Sequence, residues 1–288
     1  DASADRADLD AVFDGFALAP KEALIAAAAR LEAARARRKA SSDEDGGGTC
    51  THQADELAAM LAVADAQVAN ERPQAALQGL REVRAALEKL PDAKLDAASL
   101  HVLAKAHFVQ GEAREAAERA EAALAAFRGL GHAVGQAAAL NTLAQVALAT
   151  DAQRALQLAR AAHDGFQQVG DARRAAMAQR TAMGAHLALG ETTEALHVAR
   201  QLLAACQAGA DRQGEAATMV LIAEVYAGMG NADEELRWTH EAAELFRAMG
   251  DARNEAAARY GIAKVYLERA SDGEVDRGRR GGAGGRPA

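Results

Sequence analysis

The sequence contains few aromatic, proline and cysteine residues. Aromatic side chains make up 3% of the 288 residues, and only four prolines occur. Half of the residues are hydrophobic, but much of that fraction is alanine, which favours helix and lets helices approach closely. A large β-sheet would require more valine, isoleucine and aromatic residues. The composition therefore predicts an all-α protein.

The scarcity of cysteine limits the kinds of site that the chain can form. Cys50 and Cys206 are too few for a disulfide framework or a four-cysteine metal site, which favours a reducing compartment. We expect a soluble protein in such a compartment, which is either the cytoplasm or the interior of an organelle. The first residue is Asp1 rather than methionine, which is compatible with removal of a targeting peptide. The sequence shows no apolar run of membrane-spanning length and no secretory signal.

The chain also lacks an excess of positive charge. Its 33 lysines and arginines face 41 aspartates and glutamates, for a net charge of −8. An acidic protein is repelled by the phosphate backbone, so the composition disfavours nucleic acid as a partner. The arginine- and glycine-rich C-terminus carries no aromatic side chain that would stack on bases. Nucleic acid therefore stays disfavoured as a partner.

No pattern of residues indicates catalysis. The eight histidines do not cluster, and Cys50 with His52 supplies two of the three or four ligands that a metal site requires. The glycines at 46–48 lack the lysine and the strand-to-helix context of a phosphate-binding loop. His107 and His186 fall where other repeats have tyrosine, so we expect structural roles for them. We predict no enzyme activity, cofactor, metal ion or small-molecule substrate.

A repeat of about 40 residues organises the chain. The aligned blocks begin at residues 51, 91, 131, 170, 210 and 250. Near the end of each of the first five blocks a large apolar residue or cysteine recurs: Leu87, Phe127, Phe166, Cys206 and Phe246. A small residue recurs in the first half of each block: Ala64, Ala104, Ala144, Ala223 and Ala263, with Met183 in the fourth block. Periods of this length are typical of arrays of helical hairpins.

These positions resemble the tetratricopeptide repeat in its longer form. Ile222, Ala223 and Tyr226 match the signature of the first repeat helix. The Gly-Asp turn at residues 170–171 and 250–251 is common in long-repeat members of that family. The resemblance implies a right-handed α-solenoid of antiparallel helix hairpins over residues 51–270, with a role in protein binding rather than catalysis.

Three segments lie outside the repeat array. Residues 1–39 contain a helical segment that we interpret as half of a degenerate repeat. Residues 40–50 form a loop rich in glycine and acidic residues, and residues 271–288 form a tail rich in glycine and arginine that we expect to be disordered.

The resemblance also implies a concave groove lined by the first helix of each block. Side chains one helical turn before the small residue, and just after it, would face this groove. The candidate partner-binding residues are His101, Lys105, Asn141, Gln145, Arg180, Glu224, Tyr260 and Lys264. The first five form a polar, mildly basic strip in an acidic molecule, which favours an acidic or C-terminal peptide. The alternative is an ordinary solvated groove whose partner docks elsewhere.

We therefore expect a non-catalytic scaffold or adaptor that binds a peptide or protein partner through its superhelical surface. Two alternatives stay open. The chain is an accessory structural subunit of a large complex, or it is the sensor or regulatory arm of a larger protein.

Overall fold

A computed structural model describes residues 20–41 and 49–282, and its regular elements are all α-helices. The described helices are α1 (Pro20–Ser41), α2 (Thr49–Ala69), α3 (Pro73–Leu87), α4 (Ala93–Val109), α5 (Ala113–Gly129), α6 (Ala133–Ala147), α7 (Ala152–Gln168), α8 (Ala172–Ala188), α9 (Thr192–Ala208), α10 (Arg212–Gly228), α11 (Ala232–Ala248) and α12 (Ala252–Gly282). The predicted all-α repeat fold is confirmed. Most of the predicted loop at 40–50 and the first 19 residues lie outside the described residues.

The helices fall two to a block and are joined by tight turns. Most of these turns contain one residue with positive φ: Glu71, Gly111, Gly131, Gly170, Gly190, Ala210, Gly230 or Gly250. Glycine adopts this left-handed conformation without the steric penalty of a Cβ atom. The blocks that begin at 131, 170, 210 and 250 each start on such a residue. The recurring glycine therefore marks the joints between successive hairpins.

Polar side chains cap the helix starts and bond backbone N–H groups that have no partner within the helix. The Asp92 carboxylate accepts hydrogen bonds from the backbone N–H groups of Lys94 and Leu95, at 2.8 and 3.0 Å. Other capping side chains are His132, Asp151, Asp211 and Asn231. Asparagine and aspartate favour this position because their short side chains reach the first helical turn.

The core consists of closely packed alanines and one column of larger residues. That column, Leu87, Phe127, Phe166, Cys206 and Phe246, is at most 7% exposed. The column of small residues at Ala64, Ala104, Ala144, Met183 and Ala223 is at most 4% exposed. Both columns predicted from the repeat alignment therefore lie inside the protein, where the small one lets neighbouring helices approach.

The last helix departs from this pattern. The alignment predicts that Ala263 and Tyr266 pack inside, but Ala263 is exposed and Tyr266 is 54% exposed. Within the described residues no helix follows α12, so its outer face has no second helix to contact. That face therefore meets solvent.

The C-terminal end of α12 also differs from the sequence expectation. The helix continues to Gly282, so the backbone of residues 271–282 is helical where the sequence analysis predicts a disordered tail. Glu274 and the three arginines in this stretch are good helix formers, and they favour continuation despite the glycines. Residues 283–288 lie outside the described residues.

The chain divides into two compact units, Asp1–Ala178 and Gln179–Ala288. In the first unit, each of the helices α1 to α6 packs against the next helix, and α2, α4 and α6 also pack in order against one another. These three are the first helices of successive blocks, so they form one layer of the unit. In the second unit, α9 packs on α10, α10 on α11 and α11 on α12.

Candidate functional site

Four of the predicted groove residues line one pocket in the first unit. His101 and Lys105 lie one turn apart on α4, and Asn141 and Gln145 lie one turn apart on α6. The pocket, here called the groove pocket, has a volume of about 100 Å³. Because α4 and α6 are neighbours in the layer of first helices, equivalent positions of two successive repeats meet there.

The remaining wall of the groove pocket comes from residues that the sequence analysis missed. They are Ala138, Thr142, Phe166, Arg174 and Met177. Arg174 is the fifth residue of its block, a position that glycine occupies at Gly135 and Gly214. The sequence therefore does contain a signal for Arg174 as a groove residue. It is a long charged side chain at a position where two other repeats have glycine.

Both cations of the groove pocket are paired with carboxylates. The Lys105 ammonium group contacts the carboxylate of Asp65, which is buried on α2. The Arg174 guanidinium donates from Nη1 to Asp171 Oδ2 at 2.6 Å, and both side chains are largely shielded from water. Two negative charges therefore balance the two positive charges, and the mildly basic character expected of the strip is offset here.

His101 adds no charge to this balance. Its imidazole is buried and meets the Phe127 ring edge-on, with the ring centroids 6.5 Å apart. Burial, together with the positive charges of Lys105 and Arg174, lowers the pKa of His101 to about 3. The ring is therefore neutral at physiological pH.

The groove pocket is also rich in amide groups. Asn141 is buried, at 7% exposure, and Gln145 is half-buried beside it. The Thr142 hydroxyl donates to the Ala138 carbonyl at 3.2 Å within α6. Each side-chain amide carries both donors and an acceptor, so the pocket offers hydrogen bonds of both kinds.

The other four predicted residues belong to the second unit. Tyr260 is 74% exposed, and Lys264 Nζ lies 3.7 Å from Glu268 Oε1. The pKa of Glu224 is raised because neighbouring atoms partly withdraw its carboxyl group from water, although the side chain still reaches solvent. Arg180 is half-buried on α8. None of these four lines the groove pocket.

A wider pocket of the second unit lies between α10 and α11. Its volume is about 510 Å³. The lining residues are Glu215, Met219, His240, Glu241, Glu244, Leu245 and Ala248. Two of its three carboxylates take part in local pairs, since Glu244 bonds Arg247 at 2.6 Å and Glu215 accepts from Gln207 at 2.8 Å. None of the predicted groove residues lies among its walls.

Comparison with known proteins supports the fold assignment. No protein-family model and no curated protein matches the sequence. Among solved structures, the chain is similar to the TPR-like repeats of a putative kinesin light chain from Podosopora anserina. The TM-score is 0.54 at 20% identity, over 68% of this chain and 96% of that one. The chain has the fold of a tetratricopeptide-like repeat protein.

Two other solved structures share this tetratricopeptide-like fold over most of their length. A Rap protein complexed with competence and sporulation factor has a TM-score of 0.68 at 14% identity, over 92% of this chain and 77% of that one. NprR in complex with its cognate peptide NprX has a TM-score of 0.62 at 13% identity, over 87% of this chain and 73% of that one. At these identities the likeness extends to the fold alone.

Two further observations bear on the chemistry of this tetratricopeptide-like chain. Over residues 20–41 and 49–282, no three histidine, cysteine, aspartate or glutamate side chains come together in a group that could hold a metal ion. None of the described helices combines the length and the hydropathy needed to cross a bilayer.

Proposed function

We propose that this tetratricopeptide-like chain is a non-catalytic scaffold or adaptor that binds a peptide or protein partner at the groove pocket. One observation carries the proposal. Four groove residues predicted from the repeat alignment, two on α4 and two on α6, line a single concave site together with Arg174. A concave site with polar groups on packed helices is the usual setting for ligand recognition.

The structural neighbours support the peptide as the kind of partner. The Rap structure holds competence and sporulation factor, and the NprR structure holds its cognate peptide. Extended peptides suit a groove built from stacked helices, because side chains from successive repeats contact successive peptide residues.

A steric block tests the proposal. Gln145→Trp fills the groove pocket, whereas Gln157→Trp places the same side chain on an exposed position of α7. Affinity purification with mass spectrometry, from an extract of the source cells, should recover the same partner with the wild type and with Gln157→Trp. Gln145→Trp should lose that partner while keeping the wild-type melting temperature. Equal recovery by both tryptophan variants would contradict binding at the groove pocket.

A second candidate function is that of an accessory structural subunit. Tyr260, Tyr266 and Leu267 on α12 are between 54% and 74% exposed, and exposed apolar surface of this kind can mark a protein contact. A permanent subunit should co-migrate with a large complex when a native extract is separated by size. Elution of the endogenous protein as a monomer would exclude this candidate.

A further inference from the structure

The charges of the groove pocket are balanced before any ligand arrives. Lys105 contacts Asp65, and Arg174 contacts Asp171. Asp65 is 6% exposed, so its carboxylate is held away from water and close to the ammonium group. A ligand entering the pocket therefore meets two ion pairs with no net charge between them.

The interior of the pocket also limits the size of what enters. Its volume of about 100 Å³ corresponds to roughly three water molecules of the liquid, which suits one small side chain. Ala138, Phe166 and Met177 provide apolar contact for methylene groups. Asn141 and Gln145 provide both donors and acceptors.

We propose that the groove pocket takes an uncharged amide side chain, asparagine or glutamine, from a bound peptide, and that it disfavours a carboxylate. This inference rests on the proposed function of the groove. An amide group matches the mixed donors and acceptors of the wall, and it leaves both ion pairs intact. The basic strip predicted from the sequence favours an acidic peptide, whereas the pairing of Lys105 with Asp65 favours an uncharged side chain at this position.

A carboxylate in the same place would bring an uncompensated charge. Lys105 would then face two carboxylates, that of Asp65 and that of the ligand, and the shielded pair would carry one excess negative charge. A second carboxylate in a site shielded from water is costly, because the two negative charges repel each other with little screening by solvent. A cationic side chain would in the same way compete with Lys105 for Asp65.

The experiment changes the charge of the pocket in both directions. A display library of random heptapeptides is selected on the immobilised full chain, and the enriched peptides are sequenced. Asp65→Asn leaves the pocket with one excess positive charge, and Lys105→Gln leaves it with one excess negative charge. The matched control is Glu121→Gln, which makes the same charge change as Asp65→Asn at an exposed pair, where Arg154 Nη2 lies 3.1 Å from Glu121 Oε1.

The inference predicts three different enrichments. The wild type and Glu121→Gln should enrich asparagine and glutamine over aspartate and glutamate. Asp65→Asn should enrich aspartate and glutamate, and Lys105→Gln should enrich lysine and arginine. A synthetic peptide from the wild-type selection should lose about tenfold in affinity when its asparagine is replaced by aspartate, as one uncompensated charge implies. This last comparison uses the wild type alone, so it holds even where a variant fails to fold.

Failure of the inference and failure of the proposed function give different results. In one outcome, the peptides selected by the wild type compete with one another and no longer bind Gln145→Trp, but they are enriched in aspartate and glutamate. That outcome would overturn the amide preference, while the proposed function of the groove pocket would stand. An absence of enriched peptides, or enrichment that survives Gln145→Trp, would overturn both.

Discussion

Phe127 shows at the residue scale how two repeats fit together. Its ring is fully buried and lies between the rings of His101 and His132, with centroids 6.5 and 5.5 Å away. The ring also occupies the space beside Gly135, where a Cβ atom would lie 2.5 Å from a ring carbon. Gly135 is therefore needed for close approach of the neighbouring helix rather than for backbone freedom.

Replacing Gly135 tests this contact. Gly135→Ala should lower the free energy of unfolding by about 1 to 3 kcal/mol, because the added methyl group would overpack the contact with the Phe127 ring. Gly79→Ala is the control, since nothing lies within 4 Å of its Cβ position on α3. The control should raise stability by about 0.5 to 1 kcal/mol through helix propensity. Urea denaturation measures both changes. If Gly135→Ala raised the free energy of unfolding, overpacking against the Phe127 ring would be contradicted.

The buried imidazole of His101 predicts a dependence of stability on pH. Unfolded His101 takes up a proton near pH 6.5, but in the folded chain its pKa is about 3. Between these values the unfolded state binds more protons, so stability falls as pH falls, by about 1.4 kcal/mol per pH unit below pH 6. His101→Gln removes this contribution and keeps Lys105, Asp65 and Arg174 in place. Urea denaturation from pH 7 to 4 should show a steeper loss for the wild type, and parallel curves would contradict a buried neutral imidazole.

Turns and their side chains decide hairpin geometry at the element scale. His107 Nδ1 lies 2.5 Å from Glu112 Oε2 at the end of the α4–α5 hairpin, and His186 Nδ1 lies 2.6 Å from Glu191 Oε2 in the α8–α9 hairpin. In both cases the histidine lies in the last turn of the first helix and the glutamate directly precedes the second helix. The structural role expected for these two histidines is therefore to join the helices of a hairpin.

The joints between hairpins provide a test of backbone strain. Ala210 has φ of 54°, whereas the equivalent joints have glycine at positions 131, 170 and 250. Ala210→Gly should raise the free energy of unfolding by about 0.5 to 1 kcal/mol, because a left-handed residue with a Cβ is strained. Gly170→Ala, the reverse change at an equivalent joint, should lower it by about 1 kcal/mol. Denaturant midpoints measure both, and equal shifts of the same sign would contradict the argument.

The whole molecule consists of two compact units, 1–178 and 179–288, whose boundary falls within α8. The repeat alignment shows no sign of this boundary, since the block length remains 39 or 40 residues on both sides. Four of the eight predicted groove residues belong to each unit. The four of the first unit line the groove pocket, and the four of the second unit do not line the pocket between α10 and α11.

Truncation tests the contribution of the C-terminus to the stability of the whole molecule. Residues 277–288 contain arginine, glycine, alanine and proline but no large apolar side chain. Their removal deletes little surface that folding could bury, so the melting temperature should change by less than about 1 °C. Differential scanning calorimetry of the full chain and the truncated chain measures the change. A loss of several degrees would show that this segment packs against the protein.

The amino-acid sequence by itself determines the helices, the repeat length, the joints and the buried columns. Helix propensity, capping and glycine at left-handed positions act over a few residues, so they are visible in a single block. Repetition then strengthens each signal, because Phe127 and Phe166 occupy the same place in successive blocks.

The tertiary structure alone decides the charge of the groove pocket. Lys105 and Asp65 are 40 residues apart and occupy equivalent positions of neighbouring repeats. The alignment places them in one column, but only the packing of α2 against α4 brings the two side chains into contact. The same packing buries His101 and keeps it neutral. The strength of an ion pair depends on the distance between its charges, and the cost of burying a charge depends on how far the group is removed from water. Neither quantity can be read from the order of residues along the chain.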